Sequence, residues 1–282
     1  DSVFIIVHSL PLVNAGQDAA ICIGDSIELT STGAVIYNWT DGTNLSDTTV
    51  ANPFTSNTID ETFIVIGEDA NGCINSDTVE ITVNALPVII AGTDVQICIN
   101  DSTQLNATGG VSYAWNNSSS LSDDAIANPF AIPTDTTTFL VTGTDINNCM
   151  NMDSVIVVVN PLPIVSAGVD TSLCINDSIV LNGVGAANNS WTPITNIDDE
   201  TTLTPTIFPI ATGYFVLTTI DTNNCINSDS TLVTVNMLPP VDLGQDVSMC
   251  IGDSIQLQAT GAVIYNWTDG TNLDDTTIAN PY

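Results

Sequence analysis

The chain has 282 residues, of which 44% are hydrophobic, and it carries 32 acidic side chains, one histidine and neither lysine nor arginine. A net charge of -32 without basic side chains excludes binding to nucleic acid or to anionic lipid, because lysine and arginine make most of those contacts. Salt bridges are excluded as well, apart from a single one to His8, so the fold must depend on apolar burial, strand hydrogen bonds and covalent bonds.

The sequence repeats with a period of 76 residues. Four tryptophans keep this period, and proline, aspartate, glycine and cysteine positions keep it with them. Self-similarity of this kind is the signature of a tandem array in which each repeat is one structural unit. We predict the following boundaries: the last strand of a preceding repeat at 1–10, complete repeats at 11–86, 87–162 and 163–238, and a partial repeat at 239–282.

The first half of one repeat predicts short strands separated by turns. Residues 11–15 begin with proline, which is tolerated on an edge strand, and residues 19–23 form the next strand. Residues 25–30 alternate apolar and polar side chains. On the strand that follows, we predict that the alternating side chains point inward; these are Val35, Tyr37 and Trp39.

The second half of the repeat opens with a turn signal at Asp41-Gly42 and continues as a polar, loop-like segment over 43–60. Strands are predicted over 62–66 and 78–83, with a hairpin turn over 69–72 between them. About seven short strands with intervening turns predict an all-β sandwich. Trp39, Phe63 and their copies recur at core positions of this pattern.

The cysteines are separated by alternating gaps of 51 and 25 residues; they lie at 22, 73, 98, 149, 174, 225 and 250. We predict bridges within repeats, namely Cys22–Cys73, Cys98–Cys149 and Cys174–Cys225, with the partner of Cys250 outside the chain. Pairing across the 25-residue gaps would link neighbouring repeats and leave Cys22 unpaired. Free buried thiols remain an alternative, whereas the lack of a CxxC pair and the single histidine disfavour zinc. Disulfides indicate an oxidising, extracytoplasmic location.

The order Cys–Trp–Cys within each repeat resembles the immunoglobulin fold, although Asn71 stands where that fold has its corner tyrosine. A second resemblance is carried by Leu162-Pro163, Ala167-Gly168, Cys174, Asn176-Asp177-Ser178, Trp191 and 221–225. In these residues the sequence is more similar to immunoglobulin-like and polycystic-kidney-disease-like repeats of very large Bacteroidetes surface proteins, including gliding-motility adhesins exported by the type IX system. The resemblance implies tandem immunoglobulin-like β-sandwiches that form an elongated rod at the cell surface.

The same resemblance implies O-glycosylation at triplets of Asp, then Ser or Thr, then a small or apolar residue. Eleven triplets match, with acceptors Ser2, Ser26, Thr48, Thr78, Ser102, Thr136, Ser154, Ser178, Ser230, Ser254 and Thr276. The alternative is that Asp-Ser pairs simply begin strands after turns, where their side chains bond to the backbone.

No catalytic constellation is present in the sequence, and we predict that the protein is not an enzyme. His8 lies in a junction where the other repeats have asparagine, which indicates a surface substitution. Acidic side chains cluster in polar segments and are weak calcium candidates, since calcium takes carboxylate and carbonyl oxygens. They are Glu68, Asp69, Asn71, Asp123, Asp124, Asp198, Asp199 and Glu200. The alternative reading of these clusters is turn formation and solvation.

The leading functional hypothesis is the structural repeat region of a secreted bacterial surface fibre or adhesin stalk. Its expected partners are further repeats of the same chain, covalent glycans, and neighbouring fibres or surface polysaccharide. The alternatives are an array of carbohydrate- or protein-binding modules, recognising ligand through residues 43–60, and accessory domains of a secreted hydrolase. No apolar stretch approaches the roughly 20 residues of a membrane span.

Overall fold

The first complete repeat folds into six short strands in the computed structural model, which describes residues 1–40, 42–268 and 270–282. The strands are β1 (Ala19–Cys22), β2 (Ile27–Glu28), β3 (Ile36–Trp39), β4 (Phe54–Thr55), β5 (Glu61–Glu68) and β6 (Ile74–Asn84). Asp41 of the predicted turn lies outside the described residues, while Gly42 opens a single 3-10 turn, Gly42–Asn44.

The next two repeats place their strands at the same period, so the 76-residue repeat is confirmed as a structural unit. The second contains β7 (Val95–Cys98), β8 (Thr103–Gln104), β9 (Ser112–Trp115), β10 (Phe130–Ala131), β11 (Thr137–Thr144) and β12 (Met150–Asn160). The third contains β13 (Thr171–Cys174), β14 (Ile179–Val180), β15 (Asn188–Thr192), β16 (Thr206–Ile207), β17 (Gly213–Ile220) and β18 (Ile226–Asn236).

Each repeat is a β-sandwich with an unequal pair of sheets. In the first repeat the larger sheet has the order β1-β6-β5-β3, and the smaller one pairs β2 with β4 and is extended by a bridge from Asn14 to Thr32. All pairings are antiparallel except that of β1 with β6, which is parallel. The prediction of tandem, immunoglobulin-like β-sandwiches is therefore confirmed.

The core of each sandwich is apolar and has a tryptophan among its buried members. Trp39 is 2% exposed and Phe63 is fully buried, and they pack with Leu29, Val65 and Ile81. The equivalent aromatic pairs of the next two repeats are buried in the same way: Trp115 with Phe139, and Trp191 with Phe215. Strict alternation along β5, with Phe63 and Val65 inward and Ile64 outward, produces this burial.

Three local predictions were wrong. The edge strand over 11–15 is reduced to the single bridge at Asn14, and β4 lies inside the segment predicted as loop. Val35 is 69% exposed instead of pointing inward, because it precedes β3 at the end of the sandwich, where its N–H donates to the Glu68 carbonyl. A strand of two residues in a polar segment carries too little alternation to be recognised from sequence.

Aspartates bonded to backbone N–H groups tie the start of each repeat to its last strand. Asp77 accepts from the Ala15 N–H at 2.9 Å, and Asp153 accepts from the Ala91 N–H at 2.8 Å. These N–H donors, followed by those of Thr78 and Ser154, hold the pKa values of both carboxyl groups below the ordinary aspartate value. The third repeat has the same bond, from the Ala167 N–H to Asp229 at 2.8 Å.

The chain divides into two compact units, residues 1–160 and 161–282. The first unit contains two sandwiches, and the second contains one, followed by the segment 239–282. Among its described residues, that segment has one isolated bridge, from Asp242 to Thr260, and the 3-10 turn Gly270–Asn272. Near the amino terminus, the side chains from Val3 to Val7 are exposed and lie outside the strands. The repeat boundaries themselves stay a prediction.

We predict that replacing Asp153 by alanine lowers the free energy of unfolding by about 1 kcal/mol at pH 7, because the N–H of the buried residue Ala91 loses its acceptor. The folded-state pKa is lowered, so the stabilisation is complete above the unfolded aspartate pKa and is lost as the pH falls through the folded value. Denaturant titrations should therefore show a smaller difference between wild type and Asp153→Ala below about pH 4 than at pH 7.

The matched control is Asp101→Ala, which removes the same charge from an exposed position in the same repeat. It should change the unfolding free energy little at either pH. A difference for Asp153→Ala that is equally large at pH 7 and in acid would contradict the assigned role of this carboxylate.

Candidate functional site: the disulfide junction between repeats

A disulfide joins the first repeat to the second. It links Cys22 to Cys149, whose Cα atoms are 5.5 Å apart although the residues are separated by 127 positions in the sequence. Each sandwich has two ends, which we name from the first repeat. The proximal end holds Pro11 and Cys73, and the distal end holds Cys22 and Asn84.

Strand pairing places Cys22 at the distal end. The parallel register of β1 with β6 sets Cys22 opposite Asn84, the last residue of β6, and the Ile23 N–H donates to the Asn84 carbonyl at 2.9 Å. A turn then closes from the Asp25 N–H to the Cys22 carbonyl at 2.9 Å, with Gly24 at φ +94°. A positive φ at the third turn residue is the signature of a type II turn and favours glycine there.

Cys149 lies at the proximal end of the second repeat, at the close of the turn between β11 and β12. The Asp145 carboxylate organises this turn by accepting from the N–H groups of Asn147 and Cys149, both at 2.8 Å. Asn148 takes a left-handed conformation with φ 64°. Cys149 is fully buried, so its sulfur is shielded from solvent.

The backbone crosses the same junction within a few residues. Asn84 ends β6 of the first repeat, and the Pro87 carbonyl of the second repeat already accepts from the Asn151 side-chain amide at 2.9 Å. An open groove surrounds Cys22 and is lined by Gly24, Asp25 and Ser26 from the first repeat and Asn147 and Asn148 from the second. Two covalent connections, the backbone and the disulfide, therefore hold neighbouring sandwiches end to end.

The predicted pairing of cysteines within each repeat was wrong. Cys73 directly precedes β6 and Cys22 lies opposite its last residue, so the eleven-residue length of β6 separates the two by about 35 Å. A disulfide tolerates a Cα separation of only about 7 Å at most. The bridge predicted from Cys98 to Cys149 is excluded because Cys149 is bonded to Cys22.

Cys98 and Cys174 end β7 and β13, as Cys22 ends β1. Cys98 and Cys225 are also disulfide-bonded. Cys174, predicted to pair with Cys225, is a free thiol, as are Cys73 and Cys250. Cys174 and Cys250 are exposed and Cys73 is partly buried, so these thiols do not match the alternative of free buried cysteines.

Most of the predicted glycosylation acceptors are exposed side chains. The exposed ones are Ser2, Ser26, Thr78, Ser102, Thr136, Ser154, Ser178, Ser230 and Ser254. Thr48 and Thr276 are half-buried. In three triplets the aspartate, Asp77, Asp153 or Asp229, accepts a hydrogen bond from the backbone. This structural role explains the Asp-Ser and Asp-Thr pairs on the last strand, and the explanation does not require glycosylation.

The carboxylates predicted as weak calcium ligands accept hydrogen bonds from backbone N–H groups of their own segments. Asp69 accepts from the N–H groups of Asn71 and Cys73, and the Cys73 N–H is the main cause of a pKa below the ordinary aspartate value. Asp198 accepts from the Thr206 N–H at 2.7 Å. The other candidates, Glu68, Asp123, Asp124, Asp199 and Glu200, lie in the same or equivalent segments.

Across residues 1–40, 42–268 and 270–282, no group of three His, Cys, Asp or Glu side chains is placed to hold a metal ion. Calcium binding therefore stays a prediction. His8 is exposed, and its charge makes a small contribution to the lowered pKa of Asp69.

The segment over 43–60 is anchored to the core by the tryptophan. The indole N–H of Trp39 donates to the Val50 carbonyl at 3.0 Å, and its backbone N–H donates to the Thr48 carbonyl at 2.8 Å. The indoles of Trp115 and Trp191 make the same bond, to Ile126 and Thr202, at 2.9 Å each. This segment and its equivalents are therefore held by the same tryptophan hydrogen bond in repeats whose sequences differ.

Within the described ranges, no helix has the length and apolarity that crossing a membrane requires.

No protein-family model and no curated protein matches the chain. Solved structures of immunoglobulin and cadherin domains are similar to it at low identity. The eight amino-terminal immunoglobulin domains of Down Syndrome Cell Adhesion Molecule are 15% identical over 81% of this chain, with a TM-score of 0.42. This chain spans 37% of that one.

The insect immune protein hemolin is 12% identical over 80% of this chain and 76% of its own, with a TM-score of 0.30. Domains EC22–24 of mouse cadherin-23 are 11% identical over 82% of this chain and 100% of their own, with a TM-score of 0.27. The assignment of immunoglobulin-like sandwiches rests on the strand pairings described above.

We predict that the unreduced protein, cleaved before aspartate, releases a disulfide-linked product composed of residues 18–24 and 145–152. Cleavage at aspartate is required because trypsin has no site in a chain without lysine or arginine. Mass spectrometry identifies the pair, which separates after reduction. A product that joins residues 18–24 to residues 69–76 would contradict the junction and restore pairing within the repeat.

Proposed function

We propose that the chain is a structural repeat region of a secreted bacterial surface fibre or adhesin stalk, of the type found in large Bacteroidetes surface proteins. The observation that carries this proposal is the Cys22–Cys149 bridge between consecutive sandwiches. A bridge of this kind couples neighbours and contributes nothing to a ligand site inside either sandwich. It also favours an oxidising, extracytoplasmic location.

The charge supports the same proposal. All 32 acidic side chains are uncompensated by lysine or arginine, so neighbouring surfaces repel each other over about 10 Å at ordinary ionic strength. Such repulsion keeps molecules soluble and apart. Within the repeats, backbone N–H groups take the place of cations, as at Asp77 and Asp153.

A second candidate, an array of binding modules, is favoured by exposed aromatic side chains that recur in each repeat. Phe54 and Phe130 occupy equivalent positions in β4 and β10 and are 52% and 49% exposed. Phe208 follows β16 and is 49% exposed. An exposed aromatic ring is a suitable contact for a sugar ring or an apolar protein surface. Loss of binding to surface polysaccharide in Phe54→Ser/Phe130→Ser, with unchanged melting, would establish this candidate.

The location is tested on intact cells of the source organism. Antibodies against residues 11–86 should label unpermeabilised cells, and the labelled protein should retain its disulfides when thiols are blocked before lysis. Labelling that requires permeabilisation, together with seven reduced cysteines, would overturn the proposal of a surface fibre.

We predict that glycans on the native protein follow the exposure of the acceptors. Peptides that contain Ser102 and Ser178 should carry added mass, because both hydroxyls are exposed. Thr48 provides the control inside the same chain, since its triplet matches but its side chain is half-buried. Mass spectrometry of the native peptides decides this. If Ser102 and Ser178 carry no added mass, the prediction that the repeats are glycosylated is wrong.

A further inference from the structure

The outward faces of the larger sheets differ in charge between repeats. Along the two long strands of each larger sheet, side chains alternate between the core and the outer face, and the even-numbered ones point outward. In the first repeat two of these outward side chains are acidic, Glu68 and Glu80. In the next two repeats, whose strands lie wholly within the described range 42–268, no outward position of β11, β12, β17 or β18 is charged.

The carboxylates of the second and third repeats lie in turns and loops instead. Of the seven acidic residues in 87–162, all but Asp153 lie between strands, and of the seven in 163–238, all but Asp229 do. Asp153 and Asp229 point to the opposite side of their strands, where each accepts from a backbone N–H at 2.8 Å. The charge of these repeats is therefore kept away from one face of each larger sheet.

Apolar side chains are prominent on each charge-free face. In the second repeat, Leu140, Met150, Met152 and Ile156 are exposed. β11 pairs with β12 over eight residues, so these side chains share one surface. The remaining outward positions of the long strands are mostly serine and threonine. The corresponding face of the third repeat presents Tyr214, Ile226 and Leu232.

The charge of the molecule indicates what fits these faces. A basic partner would be attracted to the acidic turns, and a polyanion would find neither lysine nor arginine to contact. Two sheets pack face to face about 10 Å apart, close to the distance over which like charges repel at ordinary ionic strength. A second copy of the chain can approach to this distance through a charge-free face, because no outward carboxylate of the long strands lies between the two sheets.

The size of one face reaches the lower limit for a specific contact. Eight paired residues of β11 and β12 span about 27 Å, and four strands spaced by about 4.8 Å span about 19 Å. Two such faces packed together would bury about 1,000 Å², which is the area at which specific interfaces begin. We therefore expect a weak and reversible contact.

We propose that the outward faces of the larger sheets of the second and third repeats are lateral contact surfaces, each of which packs against such a face on a second copy of the chain. This inference names a partner for the proposed structural role and rests on that role for its biological meaning. The first repeat is excluded from the contact, because Glu80 occupies the position that Ile156 and Leu232 have in the other two.

The first repeat supplies both a disruptive substitution and its matched control. Ile156→Glu/Leu232→Glu places one glutamate on each charge-free face, at the position where the first repeat already has one. Gln104→Glu/Val180→Glu places the same number of charges on the smaller sheets of the same repeats, where the first repeat has Glu28. Because the first repeat folds with glutamate at both positions, both variants should melt as the wild type does.

The measurement is sedimentation equilibrium of the full chain over a range of concentrations. The chain is produced without glycans, since Ser154 and Ser230 lie on the two faces, and its thiols are alkylated without a reductant so that every disulfide stays closed. The wild type should self-associate, more strongly in about 1 M sodium chloride, where charges repel over only about 3 Å. Ile156→Glu/Leu232→Glu should weaken association about tenfold or more by burying unpaired charges, whereas the control should associate as the wild type does.

A wild-type chain that is monomeric at every concentration would overturn the proposal. Equal weakening in both variants would also overturn it, as a general effect of charge, and so would unchanged association in Ile156→Glu/Leu232→Glu. Binding of a monomeric chain to a neutral polysaccharide, lost in the same variant, would assign the faces to sugar instead. Sedimentation does not depend on cellular location, so its failure is distinguishable from loss of surface labelling.

Discussion

In each sandwich the first strand pairs in parallel with the last strand, and this register sets the end of the sandwich at which each cysteine lies. It aligns Cys22 with Asn84, at the opposite end of β6 from Cys73. Neither cysteine can then meet the other inside its own repeat, and Cys22 is bonded to the second sandwich instead. A disulfide between repeats follows from this register, because the distal cysteine of the first repeat meets the proximal cysteine of the second.

Because the chain has no lysine or arginine, its carboxylates accept hydrogen bonds from backbone N–H groups in place of salt bridges to those side chains. Asp77, Asp153 and Asp229 bond to the segment that opens each repeat, while Asp69, Asp145 and Asp221 organise the turn before the proximal cysteine. At Asp77 and Asp153 these bonds favour the ionised carboxylate without bringing a second charge nearby. The same turn that holds an aspartate also positions a cysteine, so polar and covalent stabilisation converge at the proximal end.

A junction closed by both backbone and disulfide suits a protein whose repeats act together and not as separate modules. The connection between β6 and the second repeat is too short to act as a flexible linker, and the bridge encloses it. The outer faces remain free to vary, since the tryptophan indole holds residues 43–60 through backbone carbonyls and does not depend on their side chains. Structural coupling and a surface open to glycans or ligands are therefore compatible within one repeat.

The sequence alone determined the period, the β-sandwich class and the aromatic core, because alternation and repetition are local or strictly periodic signals. Trp39 and Phe63 were recognised as core residues, and their copies in the next two repeats are buried as well. The two-residue strand β4 and the exposure of Val35 were not predicted, since the first depends on pairing with β2 and the second on where β3 begins. The cysteine partners, in contrast, became evident only from the pairing of β1 with β6 and the contact between the first two sandwiches. Sequence spacing favours the nearer pair within a repeat, whereas the length of β6 places that pair at opposite ends of the sandwich and brings together residues 127 positions apart.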